Sequence, residues 1–424
     1  MNSKRKVKLL KTGDSTYVVQ FSNVSNVWQF YSNFIHSLNM ISEESKSPNV
    51  LLDFSKMNGP VYSPSAVSIS GVVDYYRDVE GWTFSFGNRS SRNYLEFTGF
   101  DHPISVSGHF DTIQKSAFNR VIRFNGSEEA SLLSNEVLRQ LKKRVVCEEG
   151  VLVGLSWCIN EILDNVFVHS GAKYGYMMVQ IHNHKKVINV SIFDLGCGLL
   201  NSLRKSVEFS PKDEMEAIEL AVKRGVTENK QIGQGNGLYG LGKIVADNHG
   251  HLCISTGHCM VEFDDEKNVR NTKAQMPIVS PKHHGTRIDF TINYERKIDV
   301  VGALDGYTPL EPISQEIENM ELEDGAVCID VFDATNGDVG SRQSGKELRL
   351  DLLNTLRMAK TPIALNFKSV DMITSSFADE VFGKMVVLIG FSRFNSSYRI
   401  VNANNYVMAI IDRAIGLRQK ELFS

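Results

Sequence analysis

No Cys-x-x-Cys pair occurs in the 424 residues, and the six cysteines (Cys147, Cys158, Cys197, Cys253, Cys259 and Cys328) are scattered without paired spacing. That usage excludes a disulfide-stapled secreted scaffold and points to reduced thiols in a cytoplasmic setting. No uninterrupted apolar run approaches the ~18 residues of a membrane helix, and no signal-peptide core follows the start. Charge of one sign is also lacking: a formal net charge of −3 gives no general pull towards nucleic acid or anionic membrane. The short basic start, Lys4 to Lys8, reads as a solvated strand edge. What is present is ordinary for a soluble globular protein, 42% hydrophobic and 22% charged, at a length that suggests two or three domains.

The most informative stretch is Trp157 to Ser170. Apolar residues at Val151, Leu152, Leu155, Ile159, Ile162, Leu163 and Val166 recur at helical spacing and predict an amphipathic helix. Glu161 and Asn165 are four apart and therefore share one face. A carboxylate stacked on a carboxamide suits a general base beside one oxygen ligand for Mg²⁺, which needs only one or two protein oxygens next to substrate phosphates. The bland alternative is a solvated polar face.

Downstream, Tyr176–Ile181 and Val187–Phe193 read as strands joined by the polar turn His182–Lys186. The second strand runs into Asp194-Leu-Gly196-Cys-Gly198. An acid at a strand end followed by spaced glycines can accept a hydrogen bond from a ligand amine while the backbone approaches closely. Next comes Gly233-Gln-Gly235-Asn-Gly237-Leu238-Tyr-Gly240-Leu-Gly242, leading into a helix, where successive N–H groups can face phosphate oxygens. Gly285-Thr286 then turns into a strand. Gly235-x-Gly237-x-x-Gly240 also fits a dinucleotide fingerprint, but that motif directly follows a strand, and here a polar segment, Lys223–Gln231, precedes it. His249, His251, Cys253, His258 and Cys259 invite a zinc reading, which alternation along His251–Ser255 opposes because it sends neighbouring side chains to opposite faces.

In order and spacing, over roughly 130 residues, these four stretches resemble the N, G1, G2 and G3 boxes of the GHKL ATPase superfamily, which includes gyrase, a heat-shock chaperone, histidine kinases and MutL. The resemblance implies an α/β (α+β) sandwich, the Bergerat fold, binding ATP and Mg²⁺. Glu161 matches its catalytic glutamate and Asn165 its magnesium asparagine. Asp194 matches the adenine-binding aspartate, with Gly196 and Gly198 as companions. Gly233, Gly235, Gly237 and Leu238 match the phosphate loop, and Thr286 the last box. The segment after a helix at Pro211–Arg224, capped by Ser210, would form a lid, with Lys223, Arg224 or Lys230 reaching the phosphates.

The flanks read as smaller α/β domains, giving 1–114, 115–297 and 298–424, the last opening on an acidic stretch from Glu311 to Asp324 taken as linker or exposed edge. Lys115–Ile122 reads as a connector strand. Leu365–Ser376 aligns without gaps to Leu52–Ser63, each a buried strand, a short loop and a serine opening a helix. Both copies resemble the STAS fold of anti-sigma-factor antagonists, whose loop carries a phosphorylatable serine; Ser376 takes that position, with Thr374 replacing the usual aspartate and Phe377 the usual glycine. At the other copy Pro64 follows Ser63. The bland reading is Ser376 as a plain helix cap.

Three functions follow as expectations. The first is a slow Mg·ATP hydrolase acting as an ATP-gated switch, with the flanks as homodimer or STAS-mediated partner surfaces. The second is a protein-serine kinase of the anti-sigma type acting on Ser376, Ser63 or a separate STAS protein. The third is a scaffold that binds ATP without turnover. No helical hairpin with a phosphoacceptor histidine precedes the ATP domain, which disfavours a histidine kinase.

Overall fold

The computed structural model describes residues 7–22, 27–56, 63–87, 98–206, 208–226, 237–263, 269–273 and 284–423. The chain divides into two compact units, one of Met1–Val137, Trp157–Asn293 and Val301–Gly306, the other of Leu138–Ser156, Tyr294–Val300 and Tyr307–Ser424.

The first unit holds two sheets. A four-stranded sheet, order β1-β2-β3-β4, is formed by β1 (Val7–Gly13), β2 (Thr16–Ser22), β3 (Asn49–Lys56) and β4 (Thr83–Gly87). The β1–β2 pair is antiparallel, and β2, β3 and β4 are parallel. Between them run α1 (Val27–Glu44) and α2 (Ser63–Asp78). The eight-stranded mixed sheet contains β5 (Ile104–Ser105), β6 (Ile122–Phe124), β7 (Gly175–His182), β8 (Val187–Asp194), β9 (His251–Thr256), β10 (Cys259–Phe263), β11 (Val269–Lys273) and β12 (Thr286–Asn293). Its order is β11-β10-β9-β12-β8-β7-β6-β5, so β12 closes back between β9 and β8. The helices of this part are α3 (Val106–Lys115), α4 (Gly126–Lys142), α5 (Val151–Val168), α6 (Gly198–Leu203), α7 (Glu214–Ala221) and α8 (Gly237–Asp247).

Helix α2 is almost wholly buried, because it packs on β7, β8 and β12 of the large sheet as well as on its own sheet. A Cβ added to Gly71 would stand 2.7 Å from the Phe193 ring, so only glycine allows this approach. The same face buries Arg287 completely. Its guanidinium donates to Asp289 at 2.8 Å and to the hydroxyls of Ser68 and Ser255, both at 3.2 Å, and lies 5.9 Å from the centre of the Tyr31 ring. Such a charge is tolerated only because paired and hydrogen-bonded partners surround it.

Several local expectations are corrected. Lys115–Ile122 is not a strand: α3 ends at Lys115 and β6 begins at Ile122. The helix expected from Pro211 starts at Glu214, since the Asp213 carboxylate, not Ser210, accepts from the Glu216 N–H at 3.0 Å. Helix α5 passes a membrane-span test by length and composition, with a mean hydropathy of 1.5 over 18 residues, yet 61% of that window is buried, as in a core helix.

In the second unit, β13 (Val327–Asp330), β14 (Ile363–Asn366) and β15 (Tyr398–Val401) form a parallel sheet in that order. Around it stand α9 (Pro312–Asn319), α10 (Arg342–Ala359), α11 (Ser375–Ala378), a π-turn at Asp379–Gly383, α12 (Lys384–Ile389) and α13 (Asn405–Phe423). The acidic stretch is packed structure, not linker: Ile313 and Ile317 of α9 are buried, and the buried Glu311 carboxylate accepts from the Ser156 hydroxyl at 2.5 Å.

Replacing Arg287 by Ala strands Asp289 in the interior and should cost about 3–5 kcal/mol in urea unfolding. A loss below about 1 kcal/mol would show that water or neighbouring hydroxyls already satisfy the carboxylate.

Candidate functional site

All four glycine-bearing or polar stretches have described residues in the first unit, where they meet in two places. One helical turn separates Glu161 from Asn165 on α5, and both side chains are half-buried. The chain returns to them at the start of α8: a Cβ added to Gly237 would lie 2.6 Å from Glu161 Oε2 and 3.6 Å from Asn165 Nδ2. The Gly237 backbone therefore lies beside the carboxylate–carboxamide pair. Deeper along α8, Gly240 abuts the Trp157 indole, fixing α8 against α5. Leu238 packs on the small apolar cluster of Leu200, Leu203, Ala217 and Ala221 from α6 and α7. Gly233 and Gly235 lie outside the described residues, as does Lys230.

Asp194 ends β8, directly paired with Thr286 at the start of β12. Burial pushes its carboxyl up to about 7, opposed by hydrogen bonds from the Gly196 N–H, the Ser170 hydroxyl and the Thr286 backbone. The Gly196 bond is 2.8 Å long. Strand alternation puts Ser191 and Phe193 on the α2 side of β8 and Asp194 on the opposite side, consistent with Ser191 bonding Ser63 of α2 at 2.9 Å.

The turns around Asp194 are laced together. Gly285 N–H donates to the Gly196 carbonyl at 3.0 Å, and Cys197 N–H to the Ser170 carbonyl at 2.9 Å. The Thr256 hydroxyl donates to the Gly285 carbonyl at 2.9 Å and accepts from the Leu199 N–H at 3.1 Å. Gly198 has a φ of +75°, and a Cβ there would meet Thr256 Oγ1 at 2.8 Å, so glycine is needed twice over. The sequence reading gives neither Ser170 nor Thr256 a role. The only signal for Ser170 was its place just past the predicted helix, and Thr256 offered none.

The candidate phosphate cations divide. Arg224 pairs with Asp305 at 3.2 Å, while Lys223 is exposed. Among the described residues no group of three His, Cys, Asp or Glu side chains is arranged for a metal. His258 instead bonds Glu214 at 3.1 Å. In the second unit Ser376 is the second residue of α11 and half-buried, not its cap: Thr374 Oγ1 accepts from the Phe377 N–H at 3.1 Å. Threonine can both cap the helix and donate to the Gly340 carbonyl, at 2.7 Å, which places the cap at Thr374, ahead of the expected Ser376. Ser63 is buried, 1% exposed.

Residues 344–408 match the family model of the STAS-like domain of unknown function (DUF4325). Curated proteins give no match to the chain. Solved structures similar to it include a mycobacterial sensor histidine kinase, MprB, at 17% identity and TM-score 0.21, over 41% of this chain and 97% of that one. Another is the 43K ATPase domain of Thermus thermophilus gyrase B in complex with an aminocoumarin, at 16% identity and TM-score 0.19, over 38% of this chain and 37% of that one. Scores this low leave the functional reading to the residues themselves. The mixed α/β architecture and the order of the boxes resemble the GHKL class, and residues 344–408 resemble a STAS domain.

The raised carboxyl of Asp194 gives a pH test. Its folded value, about 7, stands above its ordinary 3.8, so the folded state holds the extra proton between these values. Its contribution to stability is complete below about pH 4 and is lost as pH rises through 7. In urea unfolding from pH 4 to 8, wild type should lose stability relative to Asp194→Asn, which lacks the titration. Parallel curves would place the carboxyl in water.

Proposed function

We propose that residues 115–297 bind ATP with Mg²⁺ and hydrolyse it slowly, and that 1–114 and 298–424 are STAS-like flanks through which the nucleotide state reaches a partner or a second copy. The observation that carries this reading is the convergence of Glu161, Asn165 and the Gly237 backbone. The oxygens of Glu161 and Asn165 are hard donors one turn apart, which fits a magnesium ion that keeps most of its waters. Asn165 would hold the ion, which when bound offsets negative charge on the phosphates. Glu161 would orient a water and take its proton as it attacks the terminal phosphorus. Asp194, ionised, would accept from the exocyclic amine of the base, with Gly196, Gly198 and Thr286 shaping the pocket around it. Gly233, Gly235, Gly237 and Leu238 would cradle the phosphates at the start of α8. Ordering of the segment between α7 and α8 would distinguish ATP from ADP and make the protein a switch.

The flanks share more than order. In β3, Asp53 accepts from the Ser55 N–H at 2.9 Å and from Gln20 of β2 at 2.7 Å. At the aligned position of β14, Asn366 accepts from the Lys368 N–H at 3.1 Å and donates to Asp330 of β13 at 3.1 Å. Equivalent turns at aligned residues support a duplicated STAS-like unit.

A second reading, a serine kinase, is favoured by one observation: Ser376 lies inside the STAS-like match and in the first turn of a helix, half-buried beside the exposed Ser375. Glu161 would then deprotonate a hydroxyl in place of water.

Glu161→Ala should reduce phosphate release at least about 100-fold, the usual worth of a general base, while ATP binding measured by calorimetry stays within a few-fold. Loss of binding together with turnover would assign Glu161 a structural role. With γ-labelled ATP, free phosphate alone supports hydrolysis; label on the chain that disappears in Ser376→Ala supports the kinase.

A further inference from the structure

One carboxylate oxygen receives donors from both sides of the chain between α7 and α8. Arg224, just past α7, places Nη1 3.2 Å from Asp305 Oδ2, and the Tyr239 hydroxyl, in the first turn of α8, donates to the same oxygen at 3.2 Å. Tyr239 follows closely on Gly237, so the Arg224 guanidinium stands at the helix start whose backbone lies beside Glu161 and Asn165. Apolar neighbours hold this arrangement. Leu304 comes so near α8 that a Cβ on Gly240 would be 2.7 Å from its Cδ2, and Val226 and Leu238 pack on one apolar cluster with α6 and α7. Arg224 is thereby kept at the start of α8 whether or not Asp305 binds it.

The backbone around Asp305 presents that carboxylate. The Gly306 N–H donates to the Val301 carbonyl at 2.8 Å and the Asp305 N–H to the Gly302 carbonyl at 3.2 Å, the paired bonds of a helix end that needs a left-handed residue. Glycine is usual at that position, yet Asp305 takes it, at φ +53°, and the glycine comes one place later, at +90°. A side chain kept where glycine is preferred points to a task in its contacts. Those contacts are easily exchanged. The Arg224 side chain is 66% exposed and that of Asp305 34%, and an exposed pair of this kind adds little to stability.

We propose that Asp305 is an autoinhibitory competitor for the phosphates of the nucleotide: its carboxylate holds Arg224, and a bound polyphosphate must take the guanidinium from it. The proposal rests on the ATP-binding reading above and gives the phosphate contact to Arg224. A phosphate offers the guanidinium two parallel acceptors, where Asp305 engages it through a single oxygen, so the exchange runs towards the ligand. Asp305, once released, keeps the Tyr239 hydroxyl.

The test is the equilibrium affinity of the full chain for Mg·ATP, measured by calorimetry at low and at high salt. Asp305→Asn keeps an acceptor for Tyr239 and a residue that tolerates positive φ, but drops the charge. It should tighten ATP about three- to fivefold at low salt, the upper range for one exposed ion pair, and by less at high salt. Adenosine, which has no phosphate, should bind both proteins within about twofold of each other, read as competition against ATP, because it gains no ion pair. In an Arg224→Ala background the same Asp305→Asn change should move ATP affinity by less than about twofold. Should Asp305→Asn not fold, Asp305→Gly, which suits the turn better, should show the same gain. Three results overturn the proposal: ATP affinity unchanged or weaker in Asp305→Asn, a gain for adenosine equal to that for ATP, or a gain that persists in full without Arg224. If wild type and Asp305→Asn both leave ATP unbound, the nucleotide reading itself falls. If both bind it equally, only the role of Asp305 does.

Discussion

A carboxyl group enclosed by protein must find donors or take up a proton, and Asp194 shows both responses: three donors surround it, and burial still raises its proton affinity to about 7. The rest of the site is organised by that constraint. The donors come from three separate places in the chain, the end of α5, the turn after β8 and the start of β12. The turn after β8, held to Asp194 by the Gly196 N–H, is tied to the end of the Glu161 and Asn165 helix by the Cys197 N–H on the Ser170 carbonyl. The bonds from Gly285 to Gly196 and from Thr256 to Gly285 complete the lacing on the far side.

Strand β8 carries this carboxyl on one face and is held on the other by α2. Phe193 packs on Gly71, and Ser191 reaches Ser63. Buried polar contacts of this kind fix register more than they add stability, since each group would otherwise be hydrated. Arg287 and Asp289 do the same for β12, whose first residue, Thr286, supplies a backbone donor to Asp194. Both strands that aim donors into the site are thus pinned from behind by the same helix. A displacement of α2 would be felt at Asp194 through β8 and β12, which gives the first sheet a physical route to the candidate site.

How much of this was legible in the sequence depends on distance along the chain. The helix of Glu161 and Asn165 was, because 3.6-residue periodicity is a local property. So were the glycine turns, since positive φ and close approach demand glycine wherever they occur. The docking of α2 was not legible: nothing local marks Ser63, Ser65, Ser68 and Ser70 as core residues, yet all four are buried. Serine hides easily in a core when its hydroxyl has a partner: Ser63 and Ser68 meet Ser191 and Arg287, more than a hundred residues away, and Ser70 donates to the Phe100 carbonyl. Caps failed for a related reason. Ser210 and Ser376 are plausible from composition, but Asp213 accepts from the Glu216 N–H and Thr374 from the Phe377 N–H, and Thr374 also donates to the Gly340 carbonyl.

The two aligned serines make the same point about function. Ser63 and Ser376 occupy equivalent places after equivalent strands, and Asp53 and Asn366 close the same turn before them. Their surroundings differ. Ser63 accepts a hydrogen bond from Ser191 and is 1% exposed, so a phosphate there would need the α2 contact to open first. Ser376 stands in a helix whose cap is already provided by Thr374, leaving its hydroxyl without a capping duty. In the first aligned copy the serine is committed to the packing of α2 on the eight-stranded sheet. The second copy keeps it in the opening turn of a helix, where N–H groups and the helix dipole favour an added anion. If either copy answers to phosphorylation, these contacts assign that role to the second.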